Sequence, residues 1–226
     1  MSRHEDHVVS YVSARDVGVV LDRVPSPLRV RLRDVFHSRD SNGARRLGSV
    51  RRRGRRDITL YSVLPARLSL GRYIGRGQSP LEFGAPSRGQ WPPWAVRRFL
   101  LYDVLLHELG HLQLVRPHGR GWDRKYASET LAQQFADDLR SELWSQPFEH
   151  ADPVHNPPES DEQELIPLWA ELDKERRYKL VRMALAAPHV ELPEIGWLGD
   201  TGGGALNFLR RALCYPPLSN SALQLL

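Results

Sequence analysis

The sequence predicts an α+β fold, and three observations carry that prediction. An early stretch alternates β-forming residues around an arginine-rich turn. A long apolar helical run follows in the middle of the chain. The remainder is dominated by segments with helical spacing. The chain has 226 residues, 41% hydrophobic and 26% charged, with 17 Gly and 17 Pro. Those proportions fit one globular domain, or at most two small ones, and exclude a collagen-like or wholly disordered chain, because there is enough apolar material to fill a core.

Taken in order, residues 17–21 read as a short strand. Ser26-Pro27 supplies an N-cap with proline at the first helical position, and Leu28, Leu32, Val35 and Phe36 continue at helical spacing to His37. Residues 47–50 and 57–63 read as a hairpin with the tip Arg51-Arg52-Arg53-Gly54-Arg55-Arg56. A further extended stretch at 66–74 leads into a Gly/Pro-rich loop over 75–93. Pro92-Pro93 opens the strongest helix, residues 94–115, whose apolar side chains occupy nearly every face and mark it as the buried central helix. Leu131, Phe135, Leu139 and Leu143 give the core stripe of another helix over 128–145. A proline-containing linker with an acidic run fills 146–167, and helical segments over 168–187 and 206–213 close the chain. The domain organisation is therefore a single unit over 1–226, with its core in 24–145, a linker in 146–167 and a helical part in 168–226.

Several classes are excluded. The longest apolar run, near residues 99–106, is broken by Asp103 and falls short of the roughly 20 residues of a membrane span. The first seven residues lack the apolar stretch of a secretory signal. A single cysteine, Cys214, rules out an internal disulfide framework and a Cys-based zinc cluster, and reads as a small buried hydrophobe. A reducing, cytoplasmic location is the expectation. Charge is uneven: residues 1–125 carry a net of +13 and residues 126–226 a net of −8, giving +5 overall. Arginine outnumbers lysine 29 to 3, as a GC-rich genome would produce.

The chemistry centres on His107-Glu108-Leu109-Gly110-His111. Histidines at i and i+4 project from one helix face, one turn apart, which suits two nitrogen ligands of a tetrahedral zinc. Glu108, beside them, can take a proton from a water activated by the metal and later deliver it to a leaving amine. A chance H-E-x-x-H is expected only about 0.02 times in such a chain, from its own residue frequencies. Two imidazoles and a carboxylate in an apolar helix are costly without a shared partner. One zinc ion is the expected cofactor.

Catalytic zinc takes a third protein ligand. The metzincin spacing would need glycine at position 114 and histidine at position 117, where this chain has Leu114 and Pro117. Three candidates remain: His118, Glu129 and Asp123. The bland reading of Glu129 is an acidic residue satisfying a helix N-terminus.

The H-E-x-x-H together with Glu129-Thr130-Leu131-Ala132-Gln133-Gln134-Phe135-Ala136 resembles the gluzincin arrangement, in particular the small ImmA/IrrE-type metallopeptidases. The resemblance covers residues 94–145. It implies a zincin-like fold, with a small antiparallel or mixed sheet before the zinc-binding helix, and metallopeptidase activity. It also implies that Glu129 is the third ligand, held by a second helix. Gln133 then stands where gluzincins hold an Asp or Asn that supports a zinc-binding histidine. A second resemblance is to SprT-like DNA-associated proteases, carried by His118-Gly119 and Trp122, with His118 as third ligand and the arginine-rich tip suited to action beside DNA.

Other residues have weaker claims. Tyr126, one turn before Glu129, is a candidate transition-state stabiliser, as are His150, His155 and His189. Residues 51–56 can act as a phosphate-binding finger or simply as a solvated tip that discourages edge pairing. His4 and His7 can collect metal incidentally. The acidic segment 149–164 could cover the active site as a lid. The expected partners are a protein or peptide substrate and, through the arginine tip, nucleic acid. A membrane partner is not expected. A non-peptide hydrolase and a metal-stabilised interaction module without turnover are the competing function classes.

Overall fold

The computed structural model describes residues 8–39, 46–51, 56–65, 70, 78–86, 91–114 and 122–158, with side chains left out at 8–9, 65 and 122–127. It is a mixed α+β structure. Chain contacts divide it into two compact units, one of 12–63 with 98–148, the other of 1–11, 64–97 and 149–226. The expected helices at 168–187 and 206–213, the extended stretch at 66–74 save Leu70, and the acidic run past residue 158 lie outside the described residues.

The first of these units begins with α1 (Ala14–Arg23). This corrects the strand expected at 17–21. Ser13 and Asp16 form a reciprocal capping box, with Asp16 N–H donating to Ser13 Oγ at 3.2 Å and Ser13 N–H donating to Asp16 Oδ2 at 2.8 Å. Val17, Val20 and Val24 are buried at helical spacing. The local β preference of a valine run yields to this cap and to that buried face.

The helix expected over 26–37 is also corrected. Only α2 (Ser26–Arg29) is helical, and Asp34–His37 form strand β2. The turn between them is tied to the end of the central helix, where Gln113 Nε2 donates to Leu28 O at 2.7 Å and Arg31 donates to Leu112 O at 3.2 Å. With that anchor, β-branched and aromatic residues 35–36 pair as a strand.

Strands β3 (Gly48–Val50) and β4 (Asp57–Leu60) form the expected hairpin, in antiparallel register with Ser49 opposite Thr59. Strand β2 pairs with β4 in parallel, Val35 opposite Ile58, so the three-stranded sheet is mixed, in the order β2-β4-β3. Ile58 and Leu60 are fully buried on one face.

The central helix starts at Pro93, as the double proline predicts, and runs to Gln113. It comprises α3 (Pro93–Phe99), a wide π-helical turn at Leu100–Val104 and α4 (Leu105–Gln113). Residues 99–106 and 109 are buried, as the apolar run requires. Helix α5 (Trp122–Ser145) starts six residues earlier than the apolar stripe suggests. Ala132, Ala136, Leu139 and Leu143 line its buried side. Each fully buried leucine contributes about 1.5–3 kcal/mol.

In the other unit, β1 (Val8–Ser10) pairs with β5 (Val63–Pro65), whose last two residues belong to it. A single helical turn at Pro80–Phe83 is capped at Ser79 by Glu82 and ends on Gly84, whose φ of 76° suits glycine. Phe83 stacks against Trp91 at 6.4 Å, and a buried Arg97–Asp152 pair closes at 2.6 Å. Among the described residues, no helix is long and apolar enough to cross a membrane.

Candidate metal centre

Helices α4 and α5 lie against each other through small residues. A Cβ on Gly110 would come within 2.9 Å of the Phe135 ring and 3.0 Å of Ala132 O. Glycine is therefore required there for the helices to approach so closely. Ala132 and Phe135 stand three and six residues after Glu129, so this contact fixes the height at which Glu129 meets the histidine face.

That meeting has a defined geometry. Glu129 Oε2 lies 3.3 Å from His107 Nε2 and 3.4 Å from His111 Nε2. One ligand atom from each of the three residues falls within 4.8 Å of the others. The two rings stand edge to face with centroids 4.7 Å apart. A charge-assisted N–H···O⁻ bond is ordinarily about 2.7–2.9 Å long. By contrast, the edge of a tetrahedron with metal–ligand bonds of about 2.0–2.1 Å is roughly 3.3–3.4 Å. The oxygen–nitrogen distances have the second length. The donor set, two imidazole nitrogens and one carboxylate oxygen, is one that zinc takes.

The polar network behind His107 points the same way. Gln133 Nε2 donates to Asp103 Oδ1 at 2.9 Å and to Asp137 Oδ1 at 3.1 Å. Both partners are carboxylates, so the amide nitrogen faces them and Oε1 faces His107 Nδ1 at 3.1 Å. Nδ1 must then carry a proton. Nε2, which faces the Glu129 carboxylate, needs a cation at that point, either a second proton or a metal ion. Arg140 donates to Asp103 at 3.1 Å and pairs with Asp137 at 2.9 Å, which balances the two carboxylates. Asp103 reaches this network from the π-helical turn one turn before His107.

The electrostatics follow from these contacts. Burial pushes the His107 pKa down, but the Glu129 hydrogen bond and the carboxylates of Glu108, Glu129 and Asp103 outweigh it, and the net shift is upward from 6.5. Hydrogen bonds from His107 and His111 hold the Glu129 carboxyl well below the usual carboxylate range, against the opposing effect of burial. Ser128 Oγ stands 3.5 Å from His111 Nδ1, a looser backing than Gln133 gives His107.

Glu108 is 8% exposed. It packs beneath β3: a Cβ on Gly48 would fall 2.7 Å from Glu108 Cγ, 2.8 Å from its Oε1 and 2.8 Å from Val104 Cγ1. The missing side chain at Gly48 is what admits the carboxylate at the sheet.

The structure thus brings together His107, His111 and Glu129, with Glu108 next to His107 on the same helix. His118, His189, Cys214, His4, His7 and residues 52–55 lie outside the described residues, as do the side chains of Asp123 and Tyr126. His150 and His155 belong to the other unit, where they pack against each other with centroids 4.7 Å apart. Gln133 reaches His107 directly, with Oε1 3.1 Å from Nδ1. Asp103, Arg140, Gly48 and Gly110 were not singled out from sequence as site residues. For Asp103 a signal existed: it is a carboxylate within an apolar helix, four residues before a histidine.

No family model, curated protein or solved structure matches the chain. The grouping of His107, His111 and Glu129 as candidate ligands rests on the geometry of this chain.

Proposed function

We propose that this chain is a zinc-dependent metallopeptidase with a zincin-like arrangement of helices and sheet, acting on protein or peptide substrates in the cytoplasm. The observation that carries the reading is the pair of 3.3 and 3.4 Å separations from one Glu129 oxygen to two histidine nitrogens, beside a nearly buried glutamate. His107, His111 and Glu129 would hold the metal. When bound, zinc would polarise the scissile carbonyl and make water a stronger acid.

The chain's own residues supply the rest. Glu108 accepts the proton of the attacking water and passes it to the leaving amine, so one carboxylate serves as base and then as acid. Gln133 fixes the Nδ1–H tautomer of His107, leaving the Nε2 lone pair for the metal. Among the described residues, β3 pairs on one side with β4, and its Gly48 lies against Glu108. An extended substrate adding to the other side of β3 would place its backbone near that carboxylate.

The test is peptide-library hydrolysis by zinc-loaded wild type and Glu108→Gln. The general-base role predicts a loss of about 10²–10⁴-fold in turnover with one zinc retained. Turnover that survives Glu108→Gln, or its absence in zinc-loaded wild type across the library, would contradict the proposal.

A further inference from the structure

A cleft of about 340 Å³ lies between α1, α2 and β2, all within one unit. Its α1 wall is Ala14, Val17, Gly18 and Leu21, at i, i+3, i+4 and i+7, so a single helix face lines it. The opposite wall is Arg33, Val35 and His37, which strand alternation puts on one side of the chain. Arg29 and Leu32 close the end next to α2. Ala14, Arg33 and His37 are exposed, so the cleft opens to solvent. Gly18 stands in the middle of α1, where glycine is a poor helix former, and a Cβ there would meet no atom within 4 Å. Gly48 and Gly110 are demanded by what packs over them, whereas the space beyond Gly18 belongs to the cleft.

Between these apolar side chains the cleft offers hydrogen-bond donors. Arg29 Nε is buried and makes no hydrogen bond among the described residues, while its Nη1 stands 3.7 Å from Asp22. The Arg33 guanidinium has no hydrogen bond or ion pair among the described residues, although the backbone N–H donates to Arg56 O. His37 Nδ1 lies 3.1 Å from Ser62 Oγ, and its Nε2 has no partner among the described residues. Burial pushes the His37 pKa below 6.5, against the opposing charge of Asp16, so the ring is neutral at pH 7. With the Ser62 hydroxyl donating to Nδ1, the Nε2–H becomes a further donor. The acid in the lining is Asp34, whose Oδ1 accepts the Val35 N–H at 2.8 Å. Two guanidiniums against one carboxylate leave the lining with a net charge of +1.

We propose that this cleft binds a small amphipathic carboxylate, with its apolar chain along Val17, Leu21, Leu32 and Val35 and its head on Arg29, Arg33 and His37. A guanidinium fork matches a carboxylate with two parallel hydrogen bonds. The volume stands near the lower end of the range of about 300–1,000 Å³ for ligand sites, which suits a chain of roughly eight carbons. A cation would be repelled by the net charge of the lining, and a neutral chain would leave the arginine donors unused. The inference is independent of the zinc reading, since none of these residues is a proposed ligand or base.

The experiment is calorimetric titration of octanoate into the full purified chain, with binding expected in about the millimolar range for so small a ligand. Shortening the probe to hexanoate and butanoate should weaken binding by up to about fourfold per methylene. Octyltrimethylammonium, with the same chain and the opposite charge, should bind at least about tenfold more weakly. Gly18→Leu fills the cleft without removing a polar group, and should weaken octanoate at least about tenfold with helix content by circular dichroism undiminished. Arg33→Gln, at an exposed position, should weaken it about tenfold. Glu129→Ala should bind octanoate like wild type, which separates the cleft from capture of the carboxylate by zinc. The proposal fails if octanoate does not bind by about 10 mM, or if the ammonium binds as tightly. It also fails if Gly18→Leu or Arg33→Gln binds octanoate like wild type. Binding lost in Glu129→Ala and kept in Gly18→Leu would assign the carboxylate to the metal and overturn it too.

Discussion

Two histidine pairs in this chain have nearly the same ring geometry and different chemistry. His107 and His111 stand edge to face with centroids 4.7 Å apart at 90°; His150 and His155 do so at 4.7 Å and 80°. In the first pair both Nε2 atoms face a single oxygen of Glu129. In the second, His150 Nδ1 accepts the Asp152 N–H at 3.0 Å, and the Asn156 side chain bonds both His150 N and His150 O. The neighbouring carboxylate of Asp152 is occupied by Arg97 at 2.6 Å and by Val154 N–H at 3.0 Å. Proximity of imidazoles therefore does not by itself bring two ring nitrogens onto one carboxylate oxygen. What distinguishes the first pair is an anionic oxygen with no arginine on it among the described residues, facing two ring nitrogens at the edge length of a zinc tetrahedron.

The sharpest break of this comparison is to remove the anion from each cluster. Glu129→Ala should lower zinc affinity more than a hundredfold, beyond the effect typical of losing a supporting residue, as read by competition with a chelating dye. Asp152→Ala should leave the affinity of the His107, His111 and Glu129 cluster for zinc unchanged yet destabilise the chain in urea unfolding, because it removes a buried carboxylate that pairs with Arg97 at 2.6 Å. Next in size, Gln133→Ala should weaken zinc about 10–100-fold by freeing the tautomer of His107, whereas His150→Ala should not alter it. Gly48→Ala should leave zinc bound but slow peptide hydrolysis about tenfold, since its Cβ displaces Glu108.

The smallest effect is in pH. Zinc competes with the proton on His107, whose pKa is raised above 6.5, so affinity should fall up to about tenfold per unit as pH drops below that raised value. The metal-free site behaves oppositely at its upper limit. Glu129, with its lowered pKa, stabilises the fold above the ordinary carboxyl pKa of 4.5 and loses that contribution as pH falls toward its folded value. His107 contributes fully below 6.5 and loses its contribution as pH rises through its own folded value. Thermal denaturation with and without zinc should therefore show metal stabilisation growing from pH 6 to pH 8.

The shared face of His107 and His111 was legible because it is local: i, i+4 spacing on a helix decides which side chains stand together. Glu129 and Gln133 were legible through their order on a second helix, although the resemblance could not say how Gln would fit. The sheet and the elements around it were harder. The Val17–Leu21 run has strand composition, and a two-residue cap at Ser13 and Asp16 overrode it. Val35 and Phe36 have helical spacing with Leu28 and Leu32, but parallel pairing to Ile58 and Thr59 of β4, 23 residues later, made them a strand. Gly48 and Gly110 carry no sequence signal at all, because a glycine's role depends on what packs over it. Non-local pairing and close approach are set by tertiary contacts, which a local pattern does not contain.

The most direct test of the account is zinc stoichiometry by elemental analysis on purified, untagged wild type, Glu129→Ala and His118→Ala. The account predicts one zinc per chain in wild type and in His118→Ala, and none in Glu129→Ala. Zinc retained in folded Glu129→Ala but lost in His118→Ala, or no zinc in folded wild type, would contradict it.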